Sequence, residues 1–434
     1  IDGRMTYHKF RYPLQHITGR IVITDQEAVV ESLTGFGRNG MKVEMQGHIA
    51  PVGREAQVDL SLYSANLAID EPLMNALEPH RRRVIEQFFN QPSYHRLLDL
   101  GVLRNKTDEA PKNPDAPGPP VFVLGGTARV SVRLHRPPGP DRKYLTYINV
   151  DPTGLSAVMR GWPYPVTATE GAISVSPEGA TIQGLHLKGP TGARAIVDGR
   201  FEPDVKDGKL KPDIRLHDVT MPLDELLIAT LPDKQASWMH TLGVEGSATA
   251  EARVTRDEDG IAFAATGRIV SGSLNPFSGP IRFEPLTGAF ELTRSSLKIT
   301  DVRASHAEVQ LAANIESQWT KDKPPSVNAM LDLTQMRLRP QLLEVMPEQL
   351  PVREQLATLL KRYDLTATLD AQVQLTLASD GAIKQTATLR PAAMNLTYHG
   401  TPIAIRDMHG SAILAGNRLE LSGLGGDFGD MQLD

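Results

Sequence analysis

The chain has 434 residues, of which 40% are hydrophobic and 22% charged, so the composition indicates a folded chain and excludes an intrinsically disordered one. The formal net charge of -5 gives no indication of nucleic-acid binding, and the absence of cysteine excludes disulfides, thiolate metal sites and a cysteine nucleophile. Only 5% of the residues are aromatic, so Val, Leu, Ile and Ala must fill the interior.

The first predicted element, YPLQHITGRIVI at residues 12–23, has a counterpart in YPVTATEGAISV at residues 164–175. Both begin with Tyr-Pro and place a glycine at the eighth position. A shift of 152 positions aligns four glycines, Gly19, Gly37, Gly40 and Gly47, with Gly171, Gly189, Gly192 and Gly199. We interpret the two stretches as copies of one repeating unit. Pro13 and Pro165 are expected to stop one strand, and Gly19 and Gly171 to begin the next.

Two weaker copies follow the first two. Pro285 precedes Gly288 in the third, and Pro402 precedes Gly410 in the fourth. The predicted organisation is therefore four repeat units at 1–159, 160–278, 279–397 and 398–434. The first is the longest because it contains a polar, proline-rich insertion at 106–120.

A short helix is predicted in each of the first three units, after a strand. Asp70 and Asp224 stand where that helix begins, and an aspartate accepts hydrogen bonds from the free N–H groups of a first turn. Pro72 suits the same turn. Arg339 occupies the matching place in the third unit and cannot cap a helix in this way.

The strands alternate apolar and polar residues, which places one set on each face of a sheet. Residues 366–377 show the clearest alternation. The sequence predicts a mainly β protein with a few short helices, an elongated and twisted antiparallel sheet that tandem repeats curl into a groove. The predicted groove lining is Val58, Leu60, Leu62, Val130, Val132, Leu134, Val309, Leu311, Ile315, Ala367, Leu369, Ala371, Val373, Leu375 and Leu377.

The apolar face of such a sheet must be covered. A second layer can pack on it, the sheet can close on itself, or a ligand can fill a trough. Three predicted helices are too few to cover all the strands, which favours the trough.

Four other patterns were weighed as functional sites. DEDG at 257–260 lacks the further oxygen ligands of a calcium loop, and LGGDFG and GRNG lack the Lys and Ser/Thr of a phosphate loop, so turns are favoured. HRRR at 80–83 is read as a solvated helix face, with lipid headgroups or a partner as the alternative. The histidines show no metal-ligand spacing. We therefore expect no catalytic residue, metal or cofactor.

The unit starts YPLQHITG and TPIAIRDMHG, the helix LAIDEPLMNAL and the alternating strands resemble the AsmA-like family of bacterial inter-membrane lipid-transfer proteins. The resemblance covers essentially the whole chain and implies a taco-shaped β-groove. It also implies an inner-membrane anchor outside this chain, a periplasmic location in the cell envelope, and transfer of phospholipid toward the outer membrane. Both ends of the chain read as strands, so we expect a fragment of a longer protein.

The expected partners are phospholipid or another lipid in the groove and, through regions outside this chain, membranes. Nucleic acid is not expected. The first alternative is a periplasmic structural or assembly factor for outer-membrane biogenesis that carries no lipid. The second is a carbohydrate-binding protein or enzyme on a β-solenoid, which the scattered Tyr and Trp residues disfavour.

Overall fold

The computed structural model describes residues 3–7, 10–37, 40–77, 79, 82, 85, 90–91, 97, 99–102, 121–122, 124–159, 162–203, 210–231, 233–258, 260–275, 281–320, 323–339, 351–378, 382–416, 418–429 and 431–433. The described residues divide into two compact units. Unit 1 comprises residues 1–220 and 253–261, and unit 2 comprises residues 221–252 and 262–434.

Unit 1 is almost entirely β-structure, with one short described helix. Its elements are β1 (Gly3–Tyr7), β2 (Phe10–Ile23), β3 (Ala28–Phe36), β4 (Lys42–Ala50), β5 (Gln57–Ala68), α1 (Glu71–Ala76), β6 (Asn90–Gln91), β7 (Val121–Phe122), β8 (Thr127–Arg136), β9 (Leu145–Pro152), β10 (Leu155–Val158), β11 (Pro165–Ser176), β12 (Gly179–Lys188), β13 (Arg194–Pro203) and most of β14 (Leu210–Leu223).

The strands of unit 1 follow one another in an antiparallel ladder. Each of β1 to β4 pairs with the next, β5 pairs with β8, and β8 pairs with β9. Both β9 and β10 pair with β11, and the ladder continues through β12 and β13 to β14. The separate pair β6–β7 lies apart from this ladder. No pairing between described residues of unit 1 joins β1 to β14, so its ladder is open.

Unit 2 has the same character and carries three described helices. Its elements are α2 (Glu225–Thr230), α3 (Asp233–Leu242), parts of β15 (Val244–Asp257) and β16 (Gly260–Leu274), β17 (Thr287–Thr293), β18 (Ser296–His306), β19 (Val309–Thr320), β20 (Lys323–Leu338), α4 (Pro351–Tyr363), β21 (Thr366–Leu377), β22 (Ile383–Tyr398), β23 (Thr401–Ala415), β24 (Arg418–Phe428) and β25 (Met431–Leu433). From β16 to β25 every strand pairs antiparallel with the next.

The prediction of a mainly β chain with a few short helices and an open antiparallel sheet is confirmed. Register shifts interrupt most of the ladders, as between Ile182 and Leu185 of β12 and between Leu333 and Met336 of β20. The two shifts named place three residues opposite two, which is a β-bulge, and bulges bend a strand and increase its local twist.

Buried apolar side chains gather in several small clusters along each ladder. In unit 1 one cluster contains Tyr12, Met41, Leu73 and Ala76, and another contains Ala168, Leu185, Val197 and Ile214. In unit 2 one contains Leu286, Val302, Ala304, Leu311 and Ala313, and another contains Leu338, Leu360, Leu369 and Ala371. The last three of these clusters include residues of the apolar faces described next.

Candidate functional site

The strand register of unit 2 aligns apolar side chains in two rows across seven successive strands, β18 to β24. One row is Ala304, Leu311, Leu333, Ala371, Leu389, Ala412 and Leu421, and the next is Val302, Ala313, Leu331, Val373, Ala387, Leu414 and Leu419. Directly paired residues project to the same side of a sheet. These rows define the apolar face of unit 2.

Unit 1 has a matching apolar face. One row is Leu33, Met45, Leu62, Val132, Ile148, Val175, Ala180 and Phe201, and a second is Val130, Val150, Ile173, Ile182, Gly199 and Ile214. The first row crosses eight strands: β3, β4, β5, β8, β9, β11, β12 and β13. Neither row contains a charged side chain.

All fifteen predicted lining residues lie on these two faces or in line with them. The register brings the six of unit 1 side by side, with Leu60 opposite Leu134 and Leu62 opposite Val132. In unit 2, β20 separates the β19 residues from those of β21, so Leu311 and Ala371 both pair with Leu333. The buried members are Val58, Val130, Leu311, Leu369 and Ala371, and the half-buried ones are Leu60, Leu62, Val132, Leu134, Val309, Ile315, Ala367, Val373, Leu375 and Leu377.

Of the fourteen residues in the two rows of unit 2, seven are half-buried and two are exposed. Every described strand of β16 to β25 belongs to the ladder, so none of them lies over the face as a second sheet. Toward β24 the exposure increases, since Leu419 is 50% and Leu421 62% exposed. On β19 the apolar-face residues are nonetheless more buried than their outward neighbours at every position from Val309 to Thr320. Side chains shield one another in this way on the inner side of a bent sheet.

Helix α4 covers one end of this face. The sequence predicted a helix in the third repeat unit but not that a helix covers the face. Leu360 is fully buried in a cluster with Leu338, Leu369 and Ala371. Leu369 and Ala371 therefore belong to a helix–sheet core, whereas Val373 and the residues after it on β21 lie beyond that cluster.

Sequence reasoning missed the face residues of β4, β9, β20 and β22, among them Met45, Ile148, Leu331 and Leu389. Bulges hide part of this signal. At Gln335, which has a positive φ of 57°, the apolar positions of β20 change from Leu331 and Leu333 to Met336 and Leu338. The Oδ1 of Asp370 accepts the N–H of Gln335 at 2.9 Å and holds the bulge in place.

The glycines of the predicted repeat make the same contacts in both copies. A Cβ on Gly37 would lie 2.8 Å from a ring carbon of Tyr12, and one on Gly189 would lie 2.6 Å from a ring carbon of Tyr164. Each hairpin closes by the same bond, from Gly37 N–H to the Met41 carbonyl and from Gly189 N–H to the Ala193 carbonyl, both 2.8 Å. Gly40 and Gly192 have positive φ values of 71° and 94° in these turns.

One expectation about the unit starts is wrong. Pro13 lies inside β2, Pro165 begins β11, and Gly19 and Gly171 lie within these strands instead of beginning new ones. At Gly19 a Cβ would lie 1.9 Å from the Ser32 carbonyl oxygen, so the glycine lets the neighbouring strand approach.

The remaining repeat markers differ in their contacts. Gly410 of β23 has a φ of 91° and faces the Gly423 carbonyl as closely as Gly19 faces Ser32, and Pro402 is the second residue of that strand. Gly47 and Gly199 each lie against the carbonyl of an aspartate on the next strand, Asp59 and Asp213. In the third copy Pro285 precedes β17 and Gly288 has no positive φ, so that copy lacks the left-handed glycine.

The two predicted aspartate caps have nearly identical geometry. Asp70 Oδ1 accepts the N–H of Leu73 at 2.9 Å, and Asp224 Oδ1 accepts the N–H of Leu227 at 2.9 Å. Both aspartates have extended backbone, and Pro72 stands in the first turn of α1. The helix start beside Arg339 lies outside the described residues.

The outward-facing side chains form polar pairs at matching places in the first three predicted repeat units. The side chain of Arg133 on β8 donates to Asp59 on β5, and that of Arg253 on β15 donates to Asp213 on β14. The Gln372 amide on β21 donates to Asp332 on β20. The hydrogen bond from Arg133 holds the pKa of Asp59 below its ordinary value, with a smaller contribution from His135, while partial burial opposes the shift. These pairs cross-link neighbouring strands on the wet side.

The described residues contain no group of three or more His, Asp or Glu side chains placed to hold a metal ion. Residues 257–260 connect β15 to β16, and the glycine-rich segments lie between β3 and β4 and at the end of β24. The insertion at 106–120 and all of HRRR except Arg82 lie outside the described residues. None of the described helices has the length and hydropathy needed to cross a membrane.

The chain was compared with protein-family models, with curated proteins and with solved structures, and none of the three comparisons found a match.

Proposed function

We propose that the apolar faces hold the acyl chains of phospholipids, and that the chain is a section of a lipid-transfer protein of the AsmA-like type in the cell envelope. The observation that supports this most directly is the pair of uninterrupted apolar rows across β18 to β24. The two rows carry no polar side chain, so they offer no catalytic group, but they offer equivalent sites for hydrocarbon along their length.

The energetics favour such a ligand. A phospholipid with two chains of about 16 carbons that leaves a bilayer exposes apolar surface worth about 25 kcal/mol, at about 0.8 kcal/mol per methylene. An apolar trough offsets most of that penalty. Equivalent sites along the trough then allow the lipid to slide with low barriers and little selectivity for chain type.

The resemblance adds the expected setting: a periplasmic section of a protein that is anchored in the inner membrane through a region outside this chain. A structural or assembly role without lipid is the alternative, and it predicts an apolar face that binds no lipid.

Site-specific photocrosslinking tests the proposal at adjacent positions on β21. Val373 belongs to the apolar face and Gln374 is exposed on the opposite face. We expect a benzoylphenylalanine at 373 to form adducts with phospholipid, detected by mass spectrometry of the purified protein, and one at 374 to form none. Adducts at both positions, or at neither, would contradict the proposal.

A charge substitution provides the matched functional test. Val373→Asp should lower the co-purified phospholipid several-fold, because a carboxylate in an apolar trough must be hydrated. Gln374→Asp should leave it unchanged. Circular dichroism verifies that both variants are folded. Equal lipid content in the folded variants would favour the assembly role.

A further inference from the structure

The outward face of unit 1 carries two tyrosines that lie far apart in sequence but close together in the sheet. Tyr63 of β5 pairs with Ser131 of β8, which pairs with Asn149 of β9. In the adjacent row Ser61 pairs with Arg133, which pairs with Tyr147. These six residues, Ser61, Tyr63, Ser131, Arg133, Tyr147 and Asn149, are called the tyrosine patch.

The tyrosine patch is concave. Its six residues line a depression of about 350 Å³ together with Leu62 and Val132. The small side chains of Ser61 and Ser131 leave space between the two rings. The two tyrosines are two strands apart across the sheet and two residues apart along the strand, which corresponds to about 12 Å between their Cα positions. Tyr63 is an aromatic residue that is 40% exposed on the solvent-facing side of the sheet, where the neighbouring rows carry charged pairs.

The polar groups of the patch are balanced in charge. Arg133 donates from Nε and Nη2 to the two carboxylate oxygens of Asp59, both at 2.8 Å, which offsets its charge and leaves Nη1 for another acceptor. Among the described residues, the Asn149 amide donates one long hydrogen bond, of 3.5 Å, to Ser131 Oγ. No carboxylate lines the depression. The patch therefore offers hydroxyl and amide groups, together with the charge-paired guanidinium of Arg133, between two aromatic rings.

We propose that the tyrosine patch binds a neutral glycan chain. A pyranose ring has an apolar C–H face that stacks on an aromatic ring and hydroxyl groups around its edge, which the serines, the Asn149 amide and Arg133 Nη1 can bond. The open depression suits an internal segment of a chain, with one sugar on each tyrosine. The scattered Tyr and Trp residues had disfavoured sugar binding, yet the strand register brings Tyr63 and Tyr147 into one site. This inference does not depend on the proposed lipid function.

Calorimetric titration of the 434-residue chain with chitotetraose, a β-linked tetramer of N-acetylglucosamine, tests the proposal. We expect saturable binding, weakened about five- to tenfold by Tyr63→Ala or Tyr147→Ala through loss of one stacked ring. Tyr147→Phe keeps the ring and should retain most of the affinity. Tyr144→Ala is the matched control, because Tyr144 is also exposed, at 52%, but lies outside the patch.

Two results would overturn the inference: no saturable binding of chitotetraose or of its glucose counterpart cellotetraose, or wild-type affinity in both folded Tyr→Ala variants. If an alanine variant does not fold, Asn149→Ala, which keeps both rings, should still weaken binding about threefold by loss of one hydrogen bond. Val373→Asp should leave glycan binding unchanged, so a failure of the lipid proposal and a failure of this one are distinguishable.

Discussion

The ring of Tyr164 fills the space that a side chain on Gly189 would need, and Tyr12 stands in the same relation to Gly37. Tyr164 is 1% and Tyr12 5% exposed, so both rings are core residues. The Tyr-Pro start of each copy and its Gly-x-x-Gly turn therefore depend on each other: the tyrosine ring is buried against the turn, and the glycine leaves room for it.

The first prediction concerns Gly189→Ala, which should destabilise unit 1 by about 2 kcal/mol, because the added methyl overpacks a buried aromatic contact. Chemical denaturation monitored by circular dichroism measures the change. Gly125→Ala is the control, since its Cβ would meet nothing closer than 3.4 Å. The double variant Gly189→Ala with Tyr164→Leu should recover part of the loss; a strictly additive result would mean that the contact is not the cause.

The second prediction concerns the helix cap at Asp224. Asp224→Ala should cost about 1 kcal/mol in the free energy of unfolding of unit 2, because the Leu227 N–H loses its acceptor at the start of a helix that buries Leu226 and Ile228. Asp224→Asn retains an oxygen acceptor and should cost only a few tenths as much. Equal losses in the two variants would assign the effect to the charge of Asp224 instead of its hydrogen bond.

Much of the fold follows from local rules that are visible in the sequence. Alternation identifies strands such as β19 and β21, and the aspartates mark the starts of α1 and α2. The position of Gly19 could not be read correctly, because a glycine that admits a neighbouring strand looks the same in sequence as one that begins a strand.

The site was predictable in its character but not in its extent. Periodicity assigns residues of one strand to one face, but a bulge such as that at Gln335 changes the parity of the residues after it, and its position depends on a tertiary bond from Asp370. Tyr63 and Tyr147 belong to one patch only because β5, β8 and β9 pair with one another. Neither pairing nor bulges are properties of a single segment.

The third prediction is a pH dependence centred on His217. The hydrogen bond from its Nε2 to Asp198 at 2.8 Å, with a second contact to Asp218, raises the pKa of His217 above its ordinary 6.5. Its contribution to stability is therefore fully present below about pH 6.5 and is lost as the pH rises through the higher pKa of the folded state. Urea unfolding of the chain should show a stability of unit 1 that falls as the pH rises above about 6.5.

The partner of His217 titrates in the opposite sense. The backbone N–H of Gly184, and then His217, lower the pKa of Asp198 below its ordinary 3.8, so its contribution is lost only as the pH falls below that value. Asp198→Asn keeps an acceptor for Gly184 but removes the charge, and it should remove most of the fall above pH 6.5, with the contact to Asp218 accounting for the remainder. An unchanged profile in that variant would contradict the assignment to His217.

The last prediction separates the covered end of the apolar face in unit 2 from its open part. Leu360 is fully buried between α4 and the sheet, so Leu360→Ala should cost about 3 kcal/mol through lost burial and a residual cavity. Leu369→Ala should cost a similar amount, because Leu369 is 4% exposed in the same cluster. Val373→Ala, two β-sheet rows away and only half-buried, should cost about 1 kcal/mol. Equal losses at Leu369 and Val373 would show that both positions are equally covered, and that α4 does not mark the end of the open part of the apolar face.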